Sequence, residues 1–131
     1  MPQRITATKD LVSRLEKGEI VDCELIELDC SQLDLEDAVF VNCHFKACNF
    51  RAAKLNDATF TGCTFFDAES ETTCDFSYAK LRGAVFERCD LTTVPFERIS
   101  AYGLRVIGCN AQGAGFHQAD VTLSVEVVDA D

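Results

Sequence analysis

The chain has 131 residues, of which 47% are hydrophobic, and this is enough for one domain with a substantial core and too many for a disordered chain. Acidic residues outnumber basic ones by 22 to 12, and the formal net charge of −10 argues against direct nucleic-acid binding, which requires a basic surface. Because the N-terminus lacks the apolar segment of a signal peptide and no apolar run approaches the roughly 20 residues that span a bilayer, we expect a cytoplasmic protein without membrane contact.

The first predicted element is a short α-helix at residues 8–17. Thr8 is placed to cap its start, Asp10 suits its positive end, and Gly18 is placed to end it. We expect one apolar face, formed by Leu11, Val12 and Leu15. We interpret the helix as a lid over the first turn of the structure that follows, and a helix that binds a partner is the alternative.

A five-residue period governs residues 20–121. A large apolar residue falls on every fifth position from Ile20 to Phe65 and again, with weaker units late in the chain, from Phe76 to Val121. A second residue, smaller in most units, precedes each of them by two positions. A helix requires a period near 3.6 and a strand a period of 2, so neither explains the pattern. A chain that turns a corner at every unit does, and four such sides close a square coil that stacks on the next at about 4.8 Å. We therefore predict an all-β solenoid of about five coils.

The 8 cysteines follow the same period. All of them take the small inward position except Cys30, which takes the large one. Cys23, Cys43 and Cys63 are expected to stack in one column with parallel side chains, which is poor geometry for a disulfide. Since no C-x-x-C pair is present, we interpret the cysteines as buried thiols and expect neither a metal site nor a cofactor.

The period is interrupted once. Phe65 and Phe76 are eleven residues apart, one more than two units, and acidic and small polar residues fill the interval. We predict a loop from Phe66 to Thr73 that bulges from one corner of the coil. The loop is either a harmless insertion or a contact for a partner.

The chain ends in a stretch of alternating apolar and polar residues, typical of a half-buried strand, and we predict a strand and tail over residues 122–131. This strand either folds back over the last coil or pairs with the same strand of a second copy, since an uncovered edge favours pairing. We favour a homodimer through this end. With the helix and the solenoid, it completes one predicted domain over residues 1–131.

We find no constellation that predicts an enzyme. The 2 histidines, His44 and His117, fall at outward positions far apart in the predicted stack. A catalytic histidine requires a nucleophile or carboxylate at hydrogen-bond distance, and the frame gathers none around either ring. The filled axis leaves no room for a substrate.

The repeat units resemble those of the pentapeptide-repeat family. Units such as Ala38-Val39-Phe40, Cys48-Asn49-Phe50 and Cys89-Asp90-Leu91 carry the resemblance, which covers residues 20–121. It implies a right-handed quadrilateral β-helix. A narrower stretch, C-T-F-F-D-A-E-S-E-T-T-C-D-F-S-Y, is similar to the Qnr-type quinolone-resistance proteins. That resemblance implies a homodimeric, acidic solenoid that binds DNA gyrase or topoisomerase IV and relieves quinolone poisoning. Some relatives act as mimics of duplex DNA.

The same resemblance assigns the candidate contact residues. In the loop they are Phe66, Asp67, Glu69, Ser70, Glu71 and Thr72. An acidic outer face is the second candidate surface, formed by Asp34, Glu36, Asp37, Asp57 and Asp75. An aromatic ring would anchor the partner and the carboxylates would meet a cationic groove. The alternative functions are a generic scaffold for a partner other than a topoisomerase, and acidic residues that serve only solubility.

Overall fold

The computed structural model describes residues 3–117 and 126–128, and in it the chain winds as a right-handed β-helix with four sides to each coil. The helix α1 (Thr8–Lys17) lies ahead of the first complete coil. The strands are short, and their bounds are β1 (Gln3–Ile5), β2 (Ile20–Val21), β3 (Cys23–Ile26), β4 (Val39–Val41), β5 (His44–Lys46), β6 (Thr59–Thr61), β7 (Phe66–Asp67), β8 (Thr72–Thr73), β9 (Val85–Glu87), β10 (Arg105–Ile107) and β11 (Glu126–Val128). The predicted fold class is confirmed. Within the described residues, no helix has the length and hydropathy that a membrane crossing requires.

The four sides are numbered here in chain order by the inward residue at the centre of each. Side 1 is centred on Ile20, Phe40, Phe60, Phe86 and Val106. Side 2 is centred on Leu25, Phe45, Phe65, Leu91 and Ala111. Side 3 is centred on Cys30, Phe50, Phe76, Phe96 and Phe116. Side 4 is centred on Leu35, Leu55, Leu81 and Ala101.

Hydrogen bonds between successive coils satisfy the backbone. Side 1 is a parallel sheet with the strand order β11-β10-β9-β6-β4-β2. Sides 3 and 4 are held by single parallel bridges, such as the one between Asp34 and Lys54. On side 2 the Phe45 N–H donates to the Thr64 carbonyl at 2.9 Å. Because each coil supplies partners to the next, five-residue sides need no helix or long strand to pair their polar backbone groups.

Except for the corner that follows Phe65, the corners of residues 20–113 are turned by a residue in the left-handed conformation. Ala52 and Asp57 have φ values of 57° and 62°, and the residue that follows each closes a turn. Ala53 N–H donates to the Phe50 carbonyl and Ala58 N–H to the Leu55 carbonyl, both at 3.0 Å. Left-handed backbone costs a non-glycine residue about 1–2 kcal/mol, and the hydrogen bonds between coils offset that cost.

Stacked phenylalanine rings fill the axis. On side 1, Phe60 stacks on Phe40 at 5.0 Å and on Phe86 at 4.8 Å between ring centroids. On side 3, Phe76 stacks on Phe50 at 4.7 Å. Rings on neighbouring sides meet edge to face, as Phe60 and Phe76 do at 6.0 Å. Offset and edge-to-face contacts are the arrangements that aromatic pairs prefer, so the large inward position is a packed core.

The small inward position holds alanine, cysteine and a few larger aliphatic residues. All eight cysteines are free and buried. The parallel register stacks Cys23, Cys43 and Cys63 along side 2, as predicted. In this column, the Cys43 and Cys63 thiols each donate a weak hydrogen bond to a carbonyl of the coil below, as Cys63 does to Phe40 at 3.6 Å. The thiols therefore act as small core residues that also occupy backbone acceptors.

The N-terminal end differs from the prediction in two details. The helix starts after Ala7 without a side-chain cap, and Thr8, predicted to be the cap, is its first residue and donates its hydroxyl to the Asp29 carbonyl at 3.3 Å. Leu11 is fully buried and Leu15 packs against the core, whereas Val12 is 36% exposed. The buried face of the helix therefore excludes Val12, one of its three predicted residues. Gly18 ends the helix as predicted, and its N–H donates to the Leu15 carbonyl.

Strand β1 was not predicted at all. It pairs in parallel with β3 on side 2, with Ile5 opposite Leu25. Ile5 is 1% exposed and lies in the same core as Leu11. The first coil is therefore covered by a strand and a helix together. Strand β1 supplies the hydrogen bonds that the edge of β3 requires, which a helix alone does not supply.

At the C-terminal end, β11 pairs in parallel with β10, with Glu126 opposite Arg105 and Val128 opposite Ile107. The strand thus folds back over the last coil on side 1, which is the first of the two predicted arrangements. The remainder of the predicted strand and tail over 122–131 lies outside the described residues.

Candidate functional site

The loop between sides 2 and 3 is a small hairpin. Its strands β7 and β8 are antiparallel, with Phe66 opposite Thr73 and Asp67 opposite Thr72. The Cys74 N–H donates to the Phe65 carbonyl at 2.9 Å and closes the neck of the hairpin. Paired strands and a closed neck give the predicted bulge a defined conformation.

The insertion is longer than predicted. Phe40 pairs with Phe60, twenty residues on, whereas Phe60 pairs with Phe86, twenty-six residues on. The same spacing of twenty-six joins Lys54 to Lys80 on side 4. The surplus is therefore six residues and the prediction of one surplus residue was wrong, because the segment from Phe65 to Phe76 contributes no side of its own. A deletion of one residue would make the spacing from Phe65 to Phe76 two units, but five surplus residues would remain in the coil.

Polar side chains brace the tip of the hairpin. The Ser70 hydroxyl lies 2.7 Å from an Asp67 carboxylate oxygen and 2.7 Å from the Thr72 hydroxyl. The hydrogen bond from Ser70 lowers the pKa of Asp67 below its ordinary value, with burial opposing it and Lys46 contributing a smaller attraction. Asp67 is therefore ionised at neutral pH, and its carboxylate orders the tip by accepting a hydrogen bond from the Ser70 hydroxyl.

The other predicted loop contacts differ in exposure. Glu69, Ser70 and Glu71 are exposed, whereas Phe66 and Thr72 are half-buried. Glu71 has a φ of 56°, the left-handed conformation that the tight tip requires. The hairpin thus presents two exposed carboxylates at its tip and one half-buried aromatic ring at its base.

The structure separates the predicted acidic face into two parts. Asp34 and Glu36 lie on side 4 in the first coil, and Asp37 and Asp57 follow at successive corners between sides 4 and 1. Asp75 lies on side 3, where its carboxylate pairs with Arg51 at 3.1 Å. The five carboxylates therefore do not form one surface.

The acidic residues of side 4 border a cavity of about 470 Å³ between α1 and the first coil. Its walls carry five carboxylates, from Glu16, Glu19, Asp34, Glu36 and Asp37, and no Lys or Arg side chain lines it. Val12, Leu15, Leu35 and Val39 are among its apolar lining residues. This is the densest group of acidic side chains around any cavity that we describe.

The two histidines lie apart on the outer surface, as predicted. The His44 ring contacts the Thr64 hydroxyl in the next coil, and His117 is exposed on side 3. Neither of them lines the acidic cavity.

A coil of five-residue sides with a filled axis defines a class of protein, the β-solenoid. The chain belongs to the pentapeptide-repeat family, because the model of that family, described as pentapeptide repeats, matches eight copies at residues 23–67 and 72–94. The unmatched residues 68–71 form the tip of the hairpin.

Curated relatives narrow the comparison. A quinolone resistance pentapeptide repeat protein, QnrB96 of Scandinavium goeteborgense, is 46% identical over 57 residues, which are 44% of this chain and 27% of that protein. The pentapeptide repeat protein QnrB4 of Escherichia coli is 44% identical over 57 residues, 44% of this chain and 26% of that protein. The matched segment is thus about a quarter of each relative.

Solved structures agree with the fold. A trypsin-treated variant of QnrB1, a plasmid-mediated fluoroquinolone resistance protein, superposes with a TM-score of 0.78 and 33% identity, over 82% of this chain and 52% of that chain. HetL of Nostoc sp. strain PCC 7120, involved in heterocyst differentiation regulation, superposes with a TM-score of 0.55 and 22% identity, over 79% of this chain and 46% of that chain, and supports the fold alone. The chain spans about half the length of the QnrB1 structure.

Proposed function

We propose that this protein is a non-enzymatic binding protein for type II topoisomerases, DNA gyrase or topoisomerase IV, and that its binding counters quinolone poisoning. The observation that carries the proposal is its likeness to QnrB1 over 82% of the chain at 33% identity. Because the chain spans about half of that structure, the activity of the whole relative is an extrapolation that the experiment below tests. The cytoplasm, where these enzymes meet DNA, is the proposed location.

The hairpin is the proposed first contact. Its two strands and the bonds of Ser70 order it before binding, so association costs little loop entropy. Glu69 and Glu71 extend from the tip and would meet a cationic surface that otherwise holds DNA phosphates. Phe66 at the base would supply the apolar anchor, since aromatic residues dominate binding energy at interfaces.

The carboxylates around the cavity beside α1 are the proposed second contact. Together with the net charge of −10, they let a narrow rod resemble the charge of duplex DNA toward a positively charged groove. Among the described residues β11 is the last strand of its sheet. We further propose that its outer edge pairs with a second copy, since an open strand edge favours such pairing and the dimer would lengthen the rod.

A supercoiling assay of gyrase with ciprofloxacin tests the function. Wild-type protein should restore supercoiling at micromolar concentrations. Deletion of residues 68–73 joins Asp67 to Cys74 and restores the five-residue period, with Asp67 at a corner position that tolerates a positive φ. This variant should fold and protect at least tenfold more weakly. Wild-type protein without effect on gyrase would overturn the function, and full protection by the deletion variant would overturn the role of the hairpin.

Two further variants separate charge from shape. Glu69→Gln with Glu71→Gln removes the two carboxylates that the deletion removes but keeps the hairpin. Glu27→Gln with Glu97→Gln removes two exposed carboxylates elsewhere and serves as the matched control. We expect the first pair to weaken protection several-fold, since each exposed charge contributes up to about 1 kcal/mol, and the control to protect like the wild type.

A generic scaffold for another protein is the second candidate function, favoured by the short length of chain shared with the Qnr proteins. Affinity capture from a bacterial lysate, with the deletion variant as a parallel bait, distinguishes the two. Recovery of gyrase subunits by the wild type alone supports the first proposal, and a main partner unrelated to topoisomerases supports the scaffold.

A further inference from the structure

Side 4 changes its charge beyond the first coil. Lys54 and Lys80 are direct neighbours in successive coils, joined by a parallel bridge. Stacked coils lie about 4.8 Å apart, so the two ammonium-bearing side chains leave the backbone side by side. Within residues 3–117, neither lysine lies within 4.0 Å of a carboxylate oxygen. Like charges placed directly opposite each other destabilise a sheet, so the contact between the two lysines does not stabilise the fold, although Asp34 lies beside Lys54 in the coil below.

Arg82 continues the basic surface beside the lysines. Its backbone N–H donates to the side-chain oxygen of Asn56 at 3.0 Å. No carboxylate of residues 3–117 lies within 4.0 Å of its guanidinium. Lys80, Arg82 and Tyr102 line a shared cavity of about 330 Å³. Tyr102 is 59% exposed, the largest exposed fraction among the large hydrophobic residues of the described chain.

The corner between sides 3 and 4 carries a second aromatic ring. Tyr78 is 46% exposed and lies between Arg51 and Arg98, whose guanidinium carbons are 5.0 and 5.9 Å from the ring centroid. Cation–π contacts hold the ring in place without covering it. The chain has only 2 tyrosines, and both therefore lie exposed on this one surface, next to five of the 12 basic residues.

We propose that this surface binds a short acidic segment of another protein. We call it the lysine–tyrosine surface and define it by Lys54, Tyr78, Lys80, Arg82, Arg98 and Tyr102. Unpaired cations attract carboxylates, and tyrosine and arginine are the residues that most often carry binding energy at protein interfaces. The proposal is independent of topoisomerase binding, which we assign to the hairpin and to acidic residues elsewhere.

The dimensions and borders of the surface favour a peptide over a nucleic acid. From Lys54 to Tyr102 the surface spans two coil spacings, or about 10 Å. Carboxylates border it, with Asp34 in the coil below, Asp57 at the next corner and Glu97 beside Arg98. A long phosphate chain would pass over these acids, and the net charge of −10 would repel it. Two or three carboxylates and an apolar side chain fit between the borders.

Fluorescence anisotropy at low salt tests the proposal. The probe is a fluorescein-labelled peptide in which Glu and Asp alternate with Gly and Leu. Replacement of Lys54, Lys80 and Arg82 by Gln should weaken binding about tenfold, since each exposed charge pair contributes a few-fold. The matched control replaces Lys9, Lys17 and Arg88 by Gln, removes the same charge from exposed positions elsewhere, and should bind like the wild type. Added salt should weaken wild-type binding.

Lys80→Glu provides a second measurement, which separates a loss of binding from a loss of stability. It replaces the like-charge pair by an opposite pair with Lys54, so the melting temperature should be unchanged or higher while peptide binding falls. Equal binding by the wild type and the triple variant, or no binding by the wild type, would overturn the proposal. Tighter binding of a fluorescein-labelled single-stranded oligothymidine than of the peptide would overturn it in favour of a nucleic-acid site.

Discussion

Replacing Phe45 with alanine tests the packing of the axis. The side chain is fully buried, and its ring meets those of Phe40, Phe50, Phe60 and Phe65 at centroid distances of 5.2, 5.5, 5.9 and 5.0 Å. The rigid coils above and below hold their spacing, so the cavity cannot collapse. We expect a loss of about 3–5 kcal/mol, the cost of removing a phenylalanine from a core.

Two variants calibrate that loss. Phe45→Leu should cost only about 1 kcal/mol, since Leu25 and Leu91 occupy the same column of side 2. Phe116→Ala should cost less free energy of unfolding than Phe45→Ala, because Phe116 is only half-buried. Within residues 3–117 its ring contacts a single other ring, that of Phe96 at 5.0 Å.

Urea unfolding followed by circular dichroism measures all three variants, with an unchanged slope as the sign that only stability has changed. A loss below about 1 kcal/mol for Phe45→Ala, or an equal loss for Phe116→Ala, would refute the inward placement and the rigid axis.

Three other predictions concern corners, thiols and the hairpin. Thr93 turns a corner with a φ of 58°, which is unfavourable for a β-branched residue, so Thr93→Gly should raise the free energy of unfolding by about 0.5–1 kcal/mol in urea titrations. Burial, with the neighbouring Cys48 thiol, raises the pKa of Cys30 to about 12, so the native thiol should resist alkylation at pH 8 and react once the protein unfolds. Because the pKa of Cys30 in the folded protein lies above the unfolded value near 9, the protonated thiol stabilises the fold fully below pH 9. This contribution is lost as the pH rises toward 12. Ser70→Ala removes the hydrogen bond that lowers the pKa of Asp67, so that pKa should rise toward its ordinary value in an NMR titration, and an unchanged value would contradict the braced tip.

The five-residue period made most of the fold predictable. An inward position every fifth residue depends only on local sequence, and the structure buries these side chains from Ile20 to Val106. Strand β1 escaped prediction because three residues outside the repeat carry no period of their own. The cap at Thr8 failed because its hydroxyl reaches a carbonyl of the first coil, a contact between distant parts of the chain.

The length of the insertion could not be read from the period. A spacing of eleven from Phe65 to Phe76 is compatible with one surplus residue and with six, and only the pairing of distant coils decides. A surplus of one would have stacked Asp75 above Lys54 and Asp34, within the acidic face. Six surplus residues move Asp75 back to side 3 and bring Lys80 above Lys54. The wrong count of surplus residues therefore explains both why Asp75 was predicted within the acidic face and why the lysine–tyrosine surface was not predicted.

A direct measurement of binding to gyrase tests the central claim, which is that this solenoid binds the enzyme through the hairpin that projects from its outer surface. Isothermal titration calorimetry of wild-type protein and of the variant lacking residues 68–73 into purified gyrase, without drug or DNA, measures it. We expect the wild type to bind and the variant to associate at least tenfold more weakly, with the two proteins equally folded. Failure of the wild type to bind, or equal affinity of the two, would contradict it.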